Sequence, residues 1–115
     1  MTFPATAPVV QIYAGDTYTQ TYVFKDDAGV AIDLSAEGWG DWAAQYRTTR
    51  PALTAHDFDV DATLASQGSI TVSMTKEATD ELVHNGVWDL QATNGATLKT
   101  WITGAVHVEK DVTRV

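Results

Sequence analysis

The chain has 115 residues, carries 7 Lys and Arg against 15 Asp and Glu, and contains no cysteine. That length fits one domain of ordinary size. The formal charge of −8 argues against binding to nucleic acid or to an anionic membrane surface, because both partners need a basic face. The lack of cysteine excludes disulfides, thiolate zinc sites and cysteine nucleophiles from the chain.

The first 8 residues hold two of the three prolines and predict an extended N-terminal arm, whereas residues 9–115 predict a single β-sandwich domain. The arm has neither the basic start nor the apolar run of a secretion signal. No stretch approaches the ~20 apolar residues that a membrane-spanning helix needs. We therefore expect a protein that is made in the cytoplasm.

In the first half of the chain, β-branched and alternating segments predict strands at residues 9–13, 17–24, 30–34 and 39–48. A turn rich in Asp and Gly at 25–29 joins two of them into an expected hairpin. In the strand over 39–48, Trp42, Ala44 and Tyr46 alternate with polar residues and are expected to face the core.

In the second half, strands are predicted as a short edge strand at 58–60 and as longer strands at 69–74, 87–93 and 98–109. The expected inward residues are Ile70, Val72, Met74, Trp88, Leu90, Ala92 and, in the last strand, Leu98, Thr100, Ile102, Gly104, Val106 and Val108. Thr75 is placed to cap a short helix over 76–83, and Asn94-Gly95 predicts a tight hairpin turn.

Seven or eight short strands with one short helix around 76–83 predict an all-β fold. The favoured architecture is an antiparallel β-sandwich of Ig-like or jelly-roll-like type. A parallel α/β fold would need long crossover helices, which the pattern lacks. A small barrel is the alternative architecture.

Motifs for catalysis are missing from the sequence. No serine lies in a G-x-S-x-G motif, no Gly-rich phosphate loop is present, and the three histidines, His56, His84 and His107, have no metal-site spacing. We therefore predict a protein that is not an enzyme and has no catalytic, cofactor-binding or metal-binding residues.

One acidic cluster is a candidate cation site. Asp57, Asp59 and Asp61 would share one face of a strand, where three carboxylates could gather a hard cation. The alternative is that these charges protect an edge strand from pairing with another chain, and this interpretation is favoured.

The chain is rich in aromatic residues, with four Trp and four Tyr. Trp39 and Trp101 fall outside the inward register of their strands, so one hypothesis makes them an exposed contact surface for a protein or a sugar ring. An equally weighted alternative is that they cover a sheet edge or pack under a loop.

Several short patterns occur in a defined order, at residues 12–17, 25–34, 42–47, 68–75, 87–90 and 103–114. Together this order resembles small virion-associated β-sandwich proteins of tailed bacteriophages, especially those of phages that infect actinobacteria. It is similar, more loosely, to the N-terminal domain of phage upper baseplate proteins. The resemblance spans roughly residues 11–114 and rests on the order of these patterns together with the terminal Asp-Val-Thr-Arg at 111–114.

The resemblance implies a non-enzymatic structural component of a phage tail or baseplate, released from the host by lysis. Its expected partners are other virion proteins, with homo-oligomers as one form and no nucleic acid or membrane. Expected contacts are an edge strand, the arm with Phe3, the side chains of Trp39 and Trp101, and Arg114. The alternatives are a head-decoration or head–tail adaptor protein, a module that binds carbohydrate or a host receptor, and, after these, a bacterial adaptor or weak enzyme.

Overall fold

The structure is a computed structural model that describes residues 5–6, 8–49, 51–52 and 54–110. The strands among these residues are β1 (Ala5–Thr6), β2 (Val10–Ala14), β3 (Tyr18–Val23), β4 (Gly40–Arg47), β5 (His56–Asp61), β6 (Ser69–Met74), β7 (Gly86–Asn94) and β8 (Thr97–Lys110). A 3₁₀ helix spans Ala65–Gln67, and the α-helix α1 spans Lys76–Asp80.

The strands form one mixed sheet in the order β1-β8-β7-β4-β5-β6-β3, and β2 also pairs with β8. The sheet curves until it nearly closes into a barrel. The corner lies in β5, because its first half pairs with β4 and its second half with β6. The predicted all-β class is confirmed. The sheet is not plainly the expected antiparallel sandwich, because β1 and β2 run parallel to β8.

Aromatic rings fill the space between the two halves of the curved sheet. The Tyr22 ring on β3 lies 5.6 Å from the Trp88 ring on β7, and the Phe24 ring lies 5.2 Å from the Trp101 ring on β8. The inward positions expected on β6 and β7 are confirmed, with Ile70, Val72, Met74, Trp88, Leu90 and Ala92 all buried. On β4, Ala44 and Tyr46 are buried as expected, and Trp42 is half-buried.

A β-bulge in β8 changes which of its residues face the core. Leu90 pairs with Ile102 and Gln91 pairs with Thr100, so Trp101 is the extra residue. Such a residue reverses the alternation of the strand on one side of the bulge. Trp101 is therefore buried beside Ile102, at 1% exposure, and Leu98 is exposed at 62%. The hypothesis that Trp101 is exposed and the expectation that Leu98 faces the core are both wrong.

One predicted strand is absent, and the predicted helix is shorter than expected. Residues 30–34 form no strand: Asp26 Oδ1 accepts hydrogen bonds from Ala28 N and Val30 N in a tight turn, and one isolated bridge joins Lys25 to Ala31. The helix begins at Lys76 as predicted but ends at Asp80. Its cap is confirmed, since Thr75 Oγ1 accepts a hydrogen bond of 3.2 Å from Ala78 N.

Two smaller expectations are corrected by the pairing of the strands. The hairpin turn between β7 and β8 uses Gly95 and Ala96, since Asn94 pairs with Thr97. Gly95 has φ 61°, the positive φ that the first residue of a type II′ turn requires. The acidic strand β5 is not an edge strand, because it lies between β4 and β6. Each half of β5 pairs on one side only, with Asp57 in the half beside β4 and with Asp59 and Asp61 in the half beside β6.

Candidate functional site

An aromatic cluster joins β8 to the end of β3 and the start of β4. It consists of Phe24, Trp39, Trp42 and Trp101, with Lys99 beside them. The Lys99 Nζ lies 4.0 Å from the centroid of the Trp101 ring and 5.6 Å from that of Trp39, within the range of a cation–π interaction. Trp101 belongs to the core, whereas Trp39 is only partly buried. Of the two tryptophans predicted as contacts, only Trp39 is exposed enough to contact a partner.

The other two predicted contacts, Phe3 and Arg114, lie outside the described residues. Part of the predicted arm is described, because Ala5 and Thr6 form β1 alongside Ile102 and Thr103 of β8.

The outer side of β3, which we call the open edge, is not paired with any described strand. Phe24 N donates a 2.8 Å hydrogen bond to Gly68 O, on the side of β6. Because backbone groups alternate along a strand, those of Thr19, Thr21 and Val23 point away from β6. The 2.9 Å contact between the Thr21 and Thr71 hydroxyl oxygens agrees with this assignment, because side chains approach most closely in non-hydrogen-bonded pairs.

The open edge lacks the features that commonly prevent edge pairing. The six residues Tyr18–Val23 include no charge and no proline, and β3 pairs with β6 in continuous register without a bulge. Val23 is 48% exposed. One local bond partly covers the edge, since Gln20 Nε2 donates 3.1 Å to Thr21 O. An exposed, uncharged edge without a bulge is a template for another strand.

A buried hydroxyl holds the start of β3 in place. Thr79 on α1 is 0% exposed. Its Oγ1 accepts a 3.1 Å hydrogen bond from Gly15 N and lies 2.7 Å from Asp16 O, to which it donates. These bonds tie α1 to the turn between β2 and β3. This role was not predicted from the sequence. The pattern that indicates it is the spacing of Thr79, which precedes the buried Leu82 by three residues and so lies on the apolar face of the helix.

A polar groove lies on the outer face of β4 and β7. Its volume is about 350 Å³, and its walls are Ala43, Gln45, Arg47, Val87, Trp88, Asp89 and Gln91. Gln45 pairs with Asp89 across the two strands, and both side chains are half-buried although they point away from the core. The sequence shows these residues as outward positions of alternating strands, which does not distinguish a groove from a flat solvated face.

The acidic residues of β5 are spread along the strand. Asp57 Oδ1 accepts a 2.8 Å hydrogen bond from Gln45 Nε2. Asp61 Oδ1 accepts hydrogen bonds from Thr63 N and Thr63 Oγ1, which lower the pKa of Asp61 below its usual value. Within the described ranges, no three His, Asp or Glu side chains are grouped so that they could hold a metal ion.

Compared with models of known protein families and with curated proteins, the sequence matches none. In the part of the chain that the structure describes, no helix has the length and apolarity needed to cross a membrane. The described residues offer three surface features that a partner could contact. They are the open edge, the exposed part of Trp39 and the polar groove.

Proposed function

We propose that this protein is a non-enzymatic structural component of a tailed-phage particle, associated with the tail or baseplate. It assembles with other virion proteins by accepting an extended segment along the open edge of β3. The observation that carries this proposal is the unprotected edge itself. The sequence resemblance to small virion proteins supplies the class of partner.

Strand addition suits this edge for two physical reasons. The backbone groups of Thr19, Thr21 and Val23 face outward in extended geometry, so a partner strand gains main-chain hydrogen bonds without rearranging the sheet. The edge is also uncharged in a chain of net charge −8. An acidic partner, including a second copy of the chain, therefore meets no like charge on the six residues of β3.

Further parts of the proposal rest on the resemblance. The curved sheet, whose halves face each other through Tyr22 and Trp88, serves as the sandwich module of the particle. Trp39, the N-terminal arm and the C-terminal segment with Arg114 add contacts to neighbouring virion proteins. The chain is made in the host cytoplasm and leaves by lysis. A head-decoration or head–tail adaptor position would use the same edge.

The test compares incorporation of tagged chains into particles. Wild type, Thr21→Pro and Thr21→Val are expressed in the host during phage growth, and purified particles are immunoblotted. Proline at 21 removes an outward N–H but no bond of the ladder with β6, whereas valine keeps that N–H. We expect wild type and Thr21→Val in the particles and Thr21→Pro reduced by about tenfold, the effect of about 1.4 kcal/mol.

Thermal unfolding of each variant confirms that it is folded before its incorporation is compared. Equal incorporation of a folded Thr21→Pro chain would overturn the role of the open edge. Particles that contain neither the tagged wild-type chain nor the untagged one would overturn the virion assignment itself.

A further inference from the structure

The polar groove brings together three kinds of planar polar group on two adjacent strands. β4 contributes the Gln45 amide and the Arg47 guanidinium, and β7 contributes the Asp89 carboxylate and the Gln91 amide. All four side chains are half-buried. This partial burial agrees with a groove of about 350 Å³ lined by these residues.

Hydrogen bonds fix the orientation of these groups before any ligand arrives. Gln45 Nε2 donates 2.8 Å to Asp57 Oδ1, so the Gln45 Oε1 faces Arg47, whose Nη2 donates to it at 3.2 Å. Arg47 Nη1 donates to Ala52 O in the segment after β4. An arginine has five N–H donors, so the guanidinium keeps further donors for the groove. Groups held in this way lose little side-chain entropy on binding.

On the β7 side, Gln91 Nε2 lies 3.4 Å from both Asp89 Oδ2 and Thr100 Oγ1. The Gln91 side chain is therefore held by longer bonds than the Gln45 side chain, and a ligand hydroxyl can replace them. Ala43 and Val87 are the small apolar members of the lining, and their methyl groups suit the C–H face of a sugar ring.

From this combination we propose that the groove binds a neutral saccharide. Sugar hydroxyls donate and accept at once, so they can accept from the remaining Arg47 N–H groups and exchange hydrogen bonds with the Gln91 amide. The volume of about 350 Å³ is at the small end of ligand sites and accommodates a short saccharide.

Other ligand classes fit less well. An anion such as phosphate would meet the field of a chain with net charge −8. An apolar ligand would find only Ala43 and Val87 and would desolvate the polar walls without compensation. Trp88 is only 3% exposed, so it offers no ring face for stacking. We therefore expect weak binding, with a dissociation constant of about 1 mM.

The experiment is a two-dimensional ¹⁵N NMR titration of the whole chain. The probes are methyl α-glucoside, methyl β-galactoside, methyl α-rhamnoside, N-acetylglucosamine and inorganic phosphate, each raised to about ten times the expected dissociation constant of about 1 mM. We expect at least one sugar to shift the side-chain amide signals of Gln45 and Gln91 and the backbone amides over 87–91.

The matched variants are Gln91→Ala in the groove and Gln20→Ala on β3, which removes the same side chain far from it. We expect Gln91→Ala to weaken the sugar by about tenfold and Gln20→Ala to leave the affinity unchanged. Thermal unfolding of both variants checks that they are folded. Three results would each overturn the proposal: no sugar shifts the groove signals, the shifts are insensitive to Gln91→Ala, or phosphate binds there more tightly than every sugar.

Discussion

The ring of Trp39 stands perpendicular to the ring of Trp101, with centroids 5.3 Å apart and an interplanar angle of 89°. This edge-to-face arrangement is favoured by the quadrupoles of the two rings. The sequence pattern predicts the same exposure for these two residues, but their exposure differs in the structure. Trp101 is buried at 1% exposure, whereas Trp39 covers it and remains in contact with solvent.

Replacing Trp101 by alanine is expected to destabilise the fold far more than replacing Trp39. Trp101→Ala leaves a cavity against Phe24 and Trp42 and should lower the free energy of unfolding by about 3–5 kcal/mol. Trp39→Ala removes a half-buried ring and should lower the free energy of unfolding by about 1–2 kcal/mol. Urea denaturation measures both, with Leu98→Ala as an exposed control that changes stability by less than about 0.5 kcal/mol. A Trp101→Ala chain as stable as wild type would contradict the buried position.

The Thr79 hydroxyl should contribute more to stability than its methyl group. Thr79→Val keeps the shape of the side chain but leaves Gly15 N without its acceptor and Asp16 O without its donor in a buried site. The expected loss is about 2 kcal/mol. Thr79→Ser keeps the hydroxyl and serves as the control. If chemical denaturation showed Thr79→Ser to be less stable than Thr79→Val, packing and not hydrogen bonding would dominate at this site.

The sequence was sufficient for those parts of the fold that depend on local chemistry. The alternation of Ile70, Val72 and Met74, the cap at Thr75 and the inward set of β7 are all dictated within a few residues. They could be predicted because side-chain period and capping act locally.

The parts that could not be predicted depend on residues far apart in the chain. The bulge at Trp101 arises from how β8 registers with β7, and one extra residue moves every earlier side chain of β8 to the other face. The parallel pairing of β2 with β8 joins residues 10–14 to 106–110, and neither strand's own pattern records its direction. The polar groove likewise needs the register of Gln45 with Asp89.

A methyl group at Gly86 should be far less tolerated than one at Gly40. A Cβ built on Gly86 would overlap the carbonyl of Arg47 and lie 2.6 Å from the Tyr46 ring, whereas one on Gly40 meets nothing within 4 Å. Gly86→Ala forces β4 and β7 apart and should cost about 1–3 kcal/mol. Gly40→Ala should change stability by less than about 1 kcal/mol. Paired thermal melts test this difference, and equal melting temperatures for the two variants would contradict the close approach of Gly86 to β4.

Alkaline pH should destabilise the protein through two half-buried tyrosines, Tyr18 and Tyr22. Burial, followed by the neighbouring Tyr18, raises the pKa of Tyr22 well above its ordinary value, and burial also raises the pKa of Tyr18. In the unfolded chain both phenols ionise near pH 10. Their stabilising contribution is therefore fully present below about pH 10 and is lost as the pH rises towards the folded pKa, because the unfolded state releases its protons first.

The Tyr22→Phe variant isolates this effect, because it removes the ionising group and keeps the ring against Trp88. Its melting temperature should fall less steeply than that of wild type between about pH 9.5 and 11.5. The control is Tyr13→Phe, which removes a hydroxyl from a side chain that is 47% exposed on β2. The slope is the relevant measurement because Tyr22→Phe also removes the side-chain hydrogen bond between Tyr22 and Tyr18, which alters stability at every pH. Parallel slopes for Tyr22→Phe and wild type would show that Tyr22 ionises in the folded protein as readily as in the unfolded chain.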